Sequence, residues 1–132
     1  MADKIVQLTD KDGNDIFPVA VMPMLNYSMT EQNTGYKWID GRDIYQKTVD
    51  TGQLPAANTT KNVAHNISNL RRVVKFEGCA FRSSNSTHAM LPFPSLNPIV
   101  VTADQTNIII TPTTDRTNFL ESYITLYYTK SS

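Results

Sequence analysis

The sequence predicts an all-β protein, an antiparallel β-sandwich or barrel-like domain preceded by a β-hairpin, and three observations carry that expectation. The only tryptophan lies in a hairpin signature, Tyr36-Lys-Trp-Ile-Asp-Gly-Arg-Asp-Ile-Tyr-Gln-Lys-Thr-Val. Runs rich in β-branched and aromatic residues recur along the chain between turn-forming stretches. Only 18% of the residues are charged, and abundant Asn, Ser and Thr favour sheet and polar loops over helices.

The organising hairpin joins Tyr36–Ile39 to Ile44–Val49 through Asp40-Gly41, because glycine reaches positive φ without steric cost. Trp38, Ile44 and Tyr45 are its packing candidates, with Asp40, Arg42 and Asp43 as turn and rim residues. Upstream, Ile5-Val-Gln-Leu8 and Ile16-Phe-Pro-Val-Ala-Val21 flank Asp12-Gly13 and read as a second hairpin. A lone two-stranded hairpin is marginal in water, so this one is expected to dock on the main domain or on a partner. Pro23 and the polar run Asn26–Gly35 read as a connection.

Gly52–Thr60 is a polar loop, and Lys61–Leu70 gives a short strand and a turn. Arg71–Arg82 is the long central strand. Its period-two pattern places Val74, Phe76, Gly78 and Ala80 inward, with Lys75, Glu77, Cys79 and Phe81 on the second face. Ser83–His88 is a loop tip, and the prolines of Ala89–Pro98 exclude a central strand. Ile99–Thr102 and Asn107–Thr111 form a third hairpin of buried character. After a polar loop at Pro112–Asn118, the closing strand Phe119–Thr129 directs Leu120, Ser122, Ile124, Leu126 and Tyr128 to the core.

The 132 residues fit one domain, and twelve basic against twelve acidic residues leave no electrostatic footprint for nucleic acid. No apolar run approaches a membrane span, and the start lacks a signal-peptide pattern, so the expectation is a soluble chain made in the cytoplasm. The four Asn-x-Ser/Thr matches, at Asn26, Asn58, Asn66 and Asn85, then reflect composition rather than glycosylation. Cys79 has no disulfide partner, and His65 has no ligand at metal spacing and reads as a histidine satisfied by backbone. Neither Gly-x-Ser-x-Gly nor a phosphate-cradling loop is present, so no enzyme and no cofactor or metal is expected. Convergence of Asp40, Asp43, Asp50, Glu77 and Glu121 is the one route left open to glycoside cleavage.

The hairpin quoted above, with Gly52-Gln-Leu-Pro, Val63-Ala-His-Asn-Ile-Ser-Asn, Phe81-Arg-Ser-Ser and Tyr123-Ile-Thr-Leu-Tyr-Tyr-Thr-Lys, resembles the C-terminal domain of tailed-bacteriophage fibre proteins. Separately, Asp3-Lys-Ile-Val-Gln-Leu-Thr-Asp-Lys-Asp-Gly-Asn-Asp-Ile-Phe-Pro-Val-Ala resembles the N-terminal segment of phage tail-fibre and head-fibre proteins.

The resemblance implies a structural protein of the virion surface, with residues 1–22 as an attachment hairpin, 23–35 as a short linker and 36–132 as the head. Ile5, Val6, Leu8, Ile16, Phe17 and Val19 are then the attachment residues, facing capsid or tail proteins. Residues 22–35 are too few for a long shaft, which points to a short fibre or capsid decoration. The alternative is a tail-fibre or baseplate receptor-binding protein. Its contacts with host surface polysaccharide would come from Arg82, Ser83, Ser84, Asn85 and Thr87 and from Asp115, Arg116 and Asn118. A homotrimer is implied too. Strands apolar on both sides support self-association independently, and Trp38, Ile44, Tyr45, Phe76, Phe81 and Leu126 are the core and assembly residues.

Overall fold

The computed structural model of the chain describes residues 8–9, 15–17, 25–82 and 87–131. Within them the protein is all-β and without helices, as the sequence predicts. The strands β1 (Leu8–Thr9) and β2 (Asp15–Phe17) form an antiparallel pair, Leu8 opposite Phe17. The Asp12-Gly13 turn and the attachment candidates Ile5, Val6 and Val19 lie outside the described residues.

The main body is a sandwich of two antiparallel sheets. The larger has the order β3 (Gln32–Lys37), β4 (Asp43–Asp50), β10 (Phe119–Lys130), β6 (Leu70–Arg82), β7 (His88–Leu91). The smaller orders β5 (Lys61–Ala64), β9 (Asn107–Pro112), β8 (Ile99–Ala103). Val49, Ala80, Leu91, Ile124, Leu126 and Tyr128 of the first sheet form one core with Ile99, Val101, Ile108 and Ile110 of the second. Burying each large side chain of this set contributes about 1.5–3 kcal/mol.

Strand β10 occupies the centre because it alternates from Ser122 to Tyr128 and pairs on both sides, with β4 and with β6. Two bulges alter the faces that strict alternation predicts. The register steps from Phe119–Arg82 to Glu121–Phe81, so Leu120 is skipped and left 49% exposed while Phe119 enters the core. On β6 the register steps from Lys75 to Val73, which brings Val73 against the core and turns Val74 to the outer face. The inward assignments of Leu120 and Val74 are therefore corrected. A bulge adds one residue to one strand, and a period-two reading past it falls on the wrong face.

The organising hairpin is also displaced. Its first strand is Gln32–Lys37 rather than Tyr36–Ile39, so residues 32–35 of the expected linker belong to the sheet. This edge strand is held by backbone pairing and by the Thr34 hydroxyl, which donates to the Ile44 carbonyl at 2.7 Å, not by apolar alternation. The turn spans Trp38 to Arg42, with Gly41 at φ +85 as the sequence requires. In β8, Val100 is 48% exposed, so this strand buries one side only, contrary to its continuous apolar run.

At the turn end, Tyr128 donates to Glu31 Oε1 at 2.6 Å and Lys130 to Glu31 Oε2 at 2.9 Å, while Tyr128 stacks on Tyr45 with centroids 6.1 Å apart. Burial and the Glu31 carboxylate push the Tyr128 hydroxyl far up. For Glu31 burial opposes ionisation, but the hydrogen bonds from Tyr128 and Lys130 win and hold it below its ordinary 4.5. A depressed carboxyl contributes stability above its unfolded pKa and loses it as pH falls through the folded value.

Three outcomes are expected. Resistance to denaturant should fall as pH drops below 4.5, and Glu31→Gln should flatten that loss relative to the wild type. At Gly78 an added Cβ would meet the Tyr123 carbonyl at 2.5 Å and Ile124 Cγ1 at 2.8 Å, so Gly78→Ala should destabilise by about 1–3 kcal/mol. Leu126→Ala, in the centre of the core, should destabilise by about 2–5 kcal/mol in the same measurement.

Candidate functional site

The second face of the five-stranded sheet, turned away from the sandwich core, carries two depressions. The strands that complete the core with Ile124, Leu126 and Ala80 present their alternate residues here: Thr125 and Tyr127 from β10, Glu77, Cys79 and Phe81 from β6, Gln46 and Thr48 from β4. The chain before β3 comes up against this face, where the Ser28 carbonyl accepts from the Thr48 amide at 2.8 Å. Tyr27 reaches towards Glu77 (3.4 Å), and Tyr127 donates to the same Glu77 Oε1 at 3.1 Å. These three side chains form the ridge between the depressions. Tyr127 and Glu77 beside it push the Tyr27 hydroxyl up.

The larger depression, about 690 Å³, is an open apolar groove walled by Tyr27, Met29, Phe81, Met90 and Tyr123. Tyr27, Met29 and Met90 are exposed by 69%, 56% and 71%, a concentration of apolar surface that single scattered side chains do not produce. Cys79 lines this groove, and burial pushes its thiol above the ordinary 9.0. That is the opposite of an activated nucleophile. The smaller depression, about 510 Å³, is lined by Tyr36, Trp38, Tyr127, Gln46 and Lys75 among others.

The expected packing residues are divided between the two faces. Leu126 lies in the core, with Tyr45 and Phe76 half-buried against it. Phe81 lines the outer groove, and Trp38 and Ile44 line the smaller depression rather than the core. Sequence reasoning missed Tyr36, Gln46 and Met90 as surface-forming residues. The alternation of β4 could have exposed Gln46, since its neighbours Tyr45 and Lys47 belong to the other face.

Of the expected loop residues, Arg82, Thr87, Asp115, Arg116 and Asn118 lie at the opposite end of the sheet, where Arg82 pairs with Phe119 and its amide donates to the Thr87 carbonyl at 3.3 Å. Ser83, Ser84 and Asn85 lie outside the described residues. Both arginines there are engaged within the chain. Arg82 lies over the Phe119 ring, and Arg116 donates to the Asn97 carbonyl at 2.8 Å and lies over Phe93. Asp115 accepts from the Thr117 amide at 3.0 Å, a bond that holds its carboxyl below the ordinary value, and Asn118 is exposed.

The other candidates for chemistry are likewise placed by structure. His65 is buried, accepting from the Ile67 amide at Nδ1 and donating from Nε2 to the Asp104 carbonyl at 3.0 Å. Asp43 pairs with Lys37, Asp40 faces Arg42 and Arg71, and Asp50 accepts from the Gly52 amide. Among the described residues no cluster of three or more His, Cys, Asp and Glu comes together, and no helix is long and apolar enough to cross a membrane.

A thiol raised by burial should be slow to alkylate. Iodoacetamide at pH 8 should modify Cys79 more slowly than a free thiol in the same solution, with the rate rising as pH passes 9.0, read by intact mass. No family model matches the chain, and no curated protein or solved structure is found to be similar to it.

Proposed function

We propose that this chain is a structural, non-enzymatic virion protein, a short phage fibre or capsid decoration that joins the particle through residues 1–22 and exposes the β-sandwich. The observation that carries this reading is the ordered pair of sequence resemblances, an attachment segment followed directly by a fibre head. The apolar groove beside Phe81 and Met90 agrees with it. A sandwich that already encloses its own core keeps a second apolar face only at the cost of solubility, unless that face is covered in an assembly. Self-association of the heads, as a homotrimer, is the covering we favour.

Recognition of host polysaccharide by the loops around residues 83–88 and 112–118 is the second reading. What supports it is that Arg82, Thr87 and Arg116, of the described residues, lie near Phe119 at one end of the sheet. It has less support, because Arg82 and Arg116 direct their guanidinium groups onto partners within the chain.

Removal of residues 1–22 should leave a folded oligomer that no longer sediments with purified particles. Truncated protein that still decorates particles would defeat the anchor assignment. In the full chain, dilution through the dissociation range should accelerate Cys79 alkylation, since the thiol lines the groove that assembly covers. A rate independent of protein concentration, with a monomeric mass by sedimentation, would count against self-association through this face.

A further inference from the structure

The smaller depression holds an unpartnered buried acceptor. Gln46 is only 7% exposed, and its Oε1 has no hydrogen-bond partner. The orientation of its amide follows from the neighbouring bonds. The Tyr127 hydroxyl gives its one proton to a Glu77 carboxylate oxygen at 3.1 Å, so towards Gln46 it can only accept, and Nε2 donates to it at 3.0 Å. Oε1 is therefore the amide atom left over. A buried acceptor in this condition favours any ligand that brings a donor to it.

The surroundings narrow the class of ligand. Tyr36, 67% exposed, with Trp38 and Tyr127, lines the depression with aromatic surface. Trp38 is fixed by its own turn, donating from its amide to the Arg42 carbonyl at 2.8 Å and accepting from the Gly41 amide at 2.9 Å. The Thr34 hydroxyl is already committed, donating to Ile44 and accepting from the Tyr36 amide. Lys75, whose side chain is 63% exposed, also lines the depression and lies 5.2 Å from the Tyr127 ring centroid, a long flexible side chain that a ligand can displace. Aromatic faces on rigid backbone, a buried acceptor and a movable cation suit a ring with apolar C–H faces and hydroxyl donors at its rim. A proline-rich peptide would match the aromatics but lacks amide donors at its prolines.

We propose that this depression is a saccharide-binding site, in which a sugar ring stacks against Trp38 and Tyr36 and a hydroxyl donates to Gln46 Oε1. The site lies away from the loops of the second reading and does not depend on particle attachment, so either can fail without the other.

Trp38 is the only tryptophan in the chain, and its emission reports the site directly. The full-length protein would be titrated with glucose, galactose, N-acetylglucosamine and their β-linked di- and trisaccharides, and in a parallel arm with a decaproline peptide. At least one saccharide should shift Trp38 emission saturably. Tyr36→Ala and Gln46→Leu should each weaken that binding by about tenfold, in line with loss of one stacking face or one hydrogen bond. Because Tyr36 is mostly exposed, Tyr36→Ala should keep the wild-type unfolding midpoint, which guards against reading a folding defect as lost binding. Absence of a saturable shift with every saccharide would overturn the proposal. So would saturation by decaproline alone, or a saccharide response that survives both substitutions.

Discussion

Every strand of the larger sheet is registered, directly or through one neighbour, against β10. Its hydrogen bonds run to β4 on one side and β6 on the other, and its side chains supply Ile124, Leu126 and Tyr128 to the core while Thr125 and Tyr127 form the floor of the outer face. One strand thus serves two surfaces, and a slip by a single residue would exchange them. Gly78 shows how tightly this is held, since β6 approaches β10 so closely that no Cβ fits between them.

Polar bonds across the sheet support that register. Thr48 and Thr125 share a hydroxyl hydrogen bond at 2.8 Å, and Ser122, paired with Thr51, donates to the Gly52 carbonyl at 2.7 Å. Lys47 and Lys61 are recruited in a similar way. Lys47 donates to the carbonyls of His65 and Asn66, and Lys61 to those of Thr51 and Gln53, so two charges tie irregular segments to the strands. The sandwich is fastened by hydroxyls and ammonium groups where a larger protein would use more core.

Much of this was legible in the sequence, for a physical reason. Alternation over Ser122–Tyr128, the Asp40-Gly41 turn and the prolines that follow edge strand β7 are local signals, and local signals survive into the fold. The faces of Leu120 and Val74 were not legible, because a bulge is decided by pairing with another strand. Strand β3 was hidden for a related reason, being polar and stabilised through its backbone. The same limit applied to the outer face. Tyr36, Gln46 and Tyr127 stand far apart in the chain, and only the sheet makes them neighbours.

The placement of the ends of the sandwich gives it a direction. Leu25 enters beside Trp38, and the amide of Ser131 donates to the Asn69 carbonyl at 2.9 Å, so the chain comes in and goes out through the half that holds the Trp38 turn. The loops at residues 52–60, 92–98 and 113–118 occupy the other pole, around Phe119. Tension applied through the two ends would therefore load the Glu31–Tyr128–Lys130 cluster first and reach the far loops last. The exposed residues of those loops lie off that line and can change without sharing in the mechanical work, whereas Leu54, buried in the core, cannot.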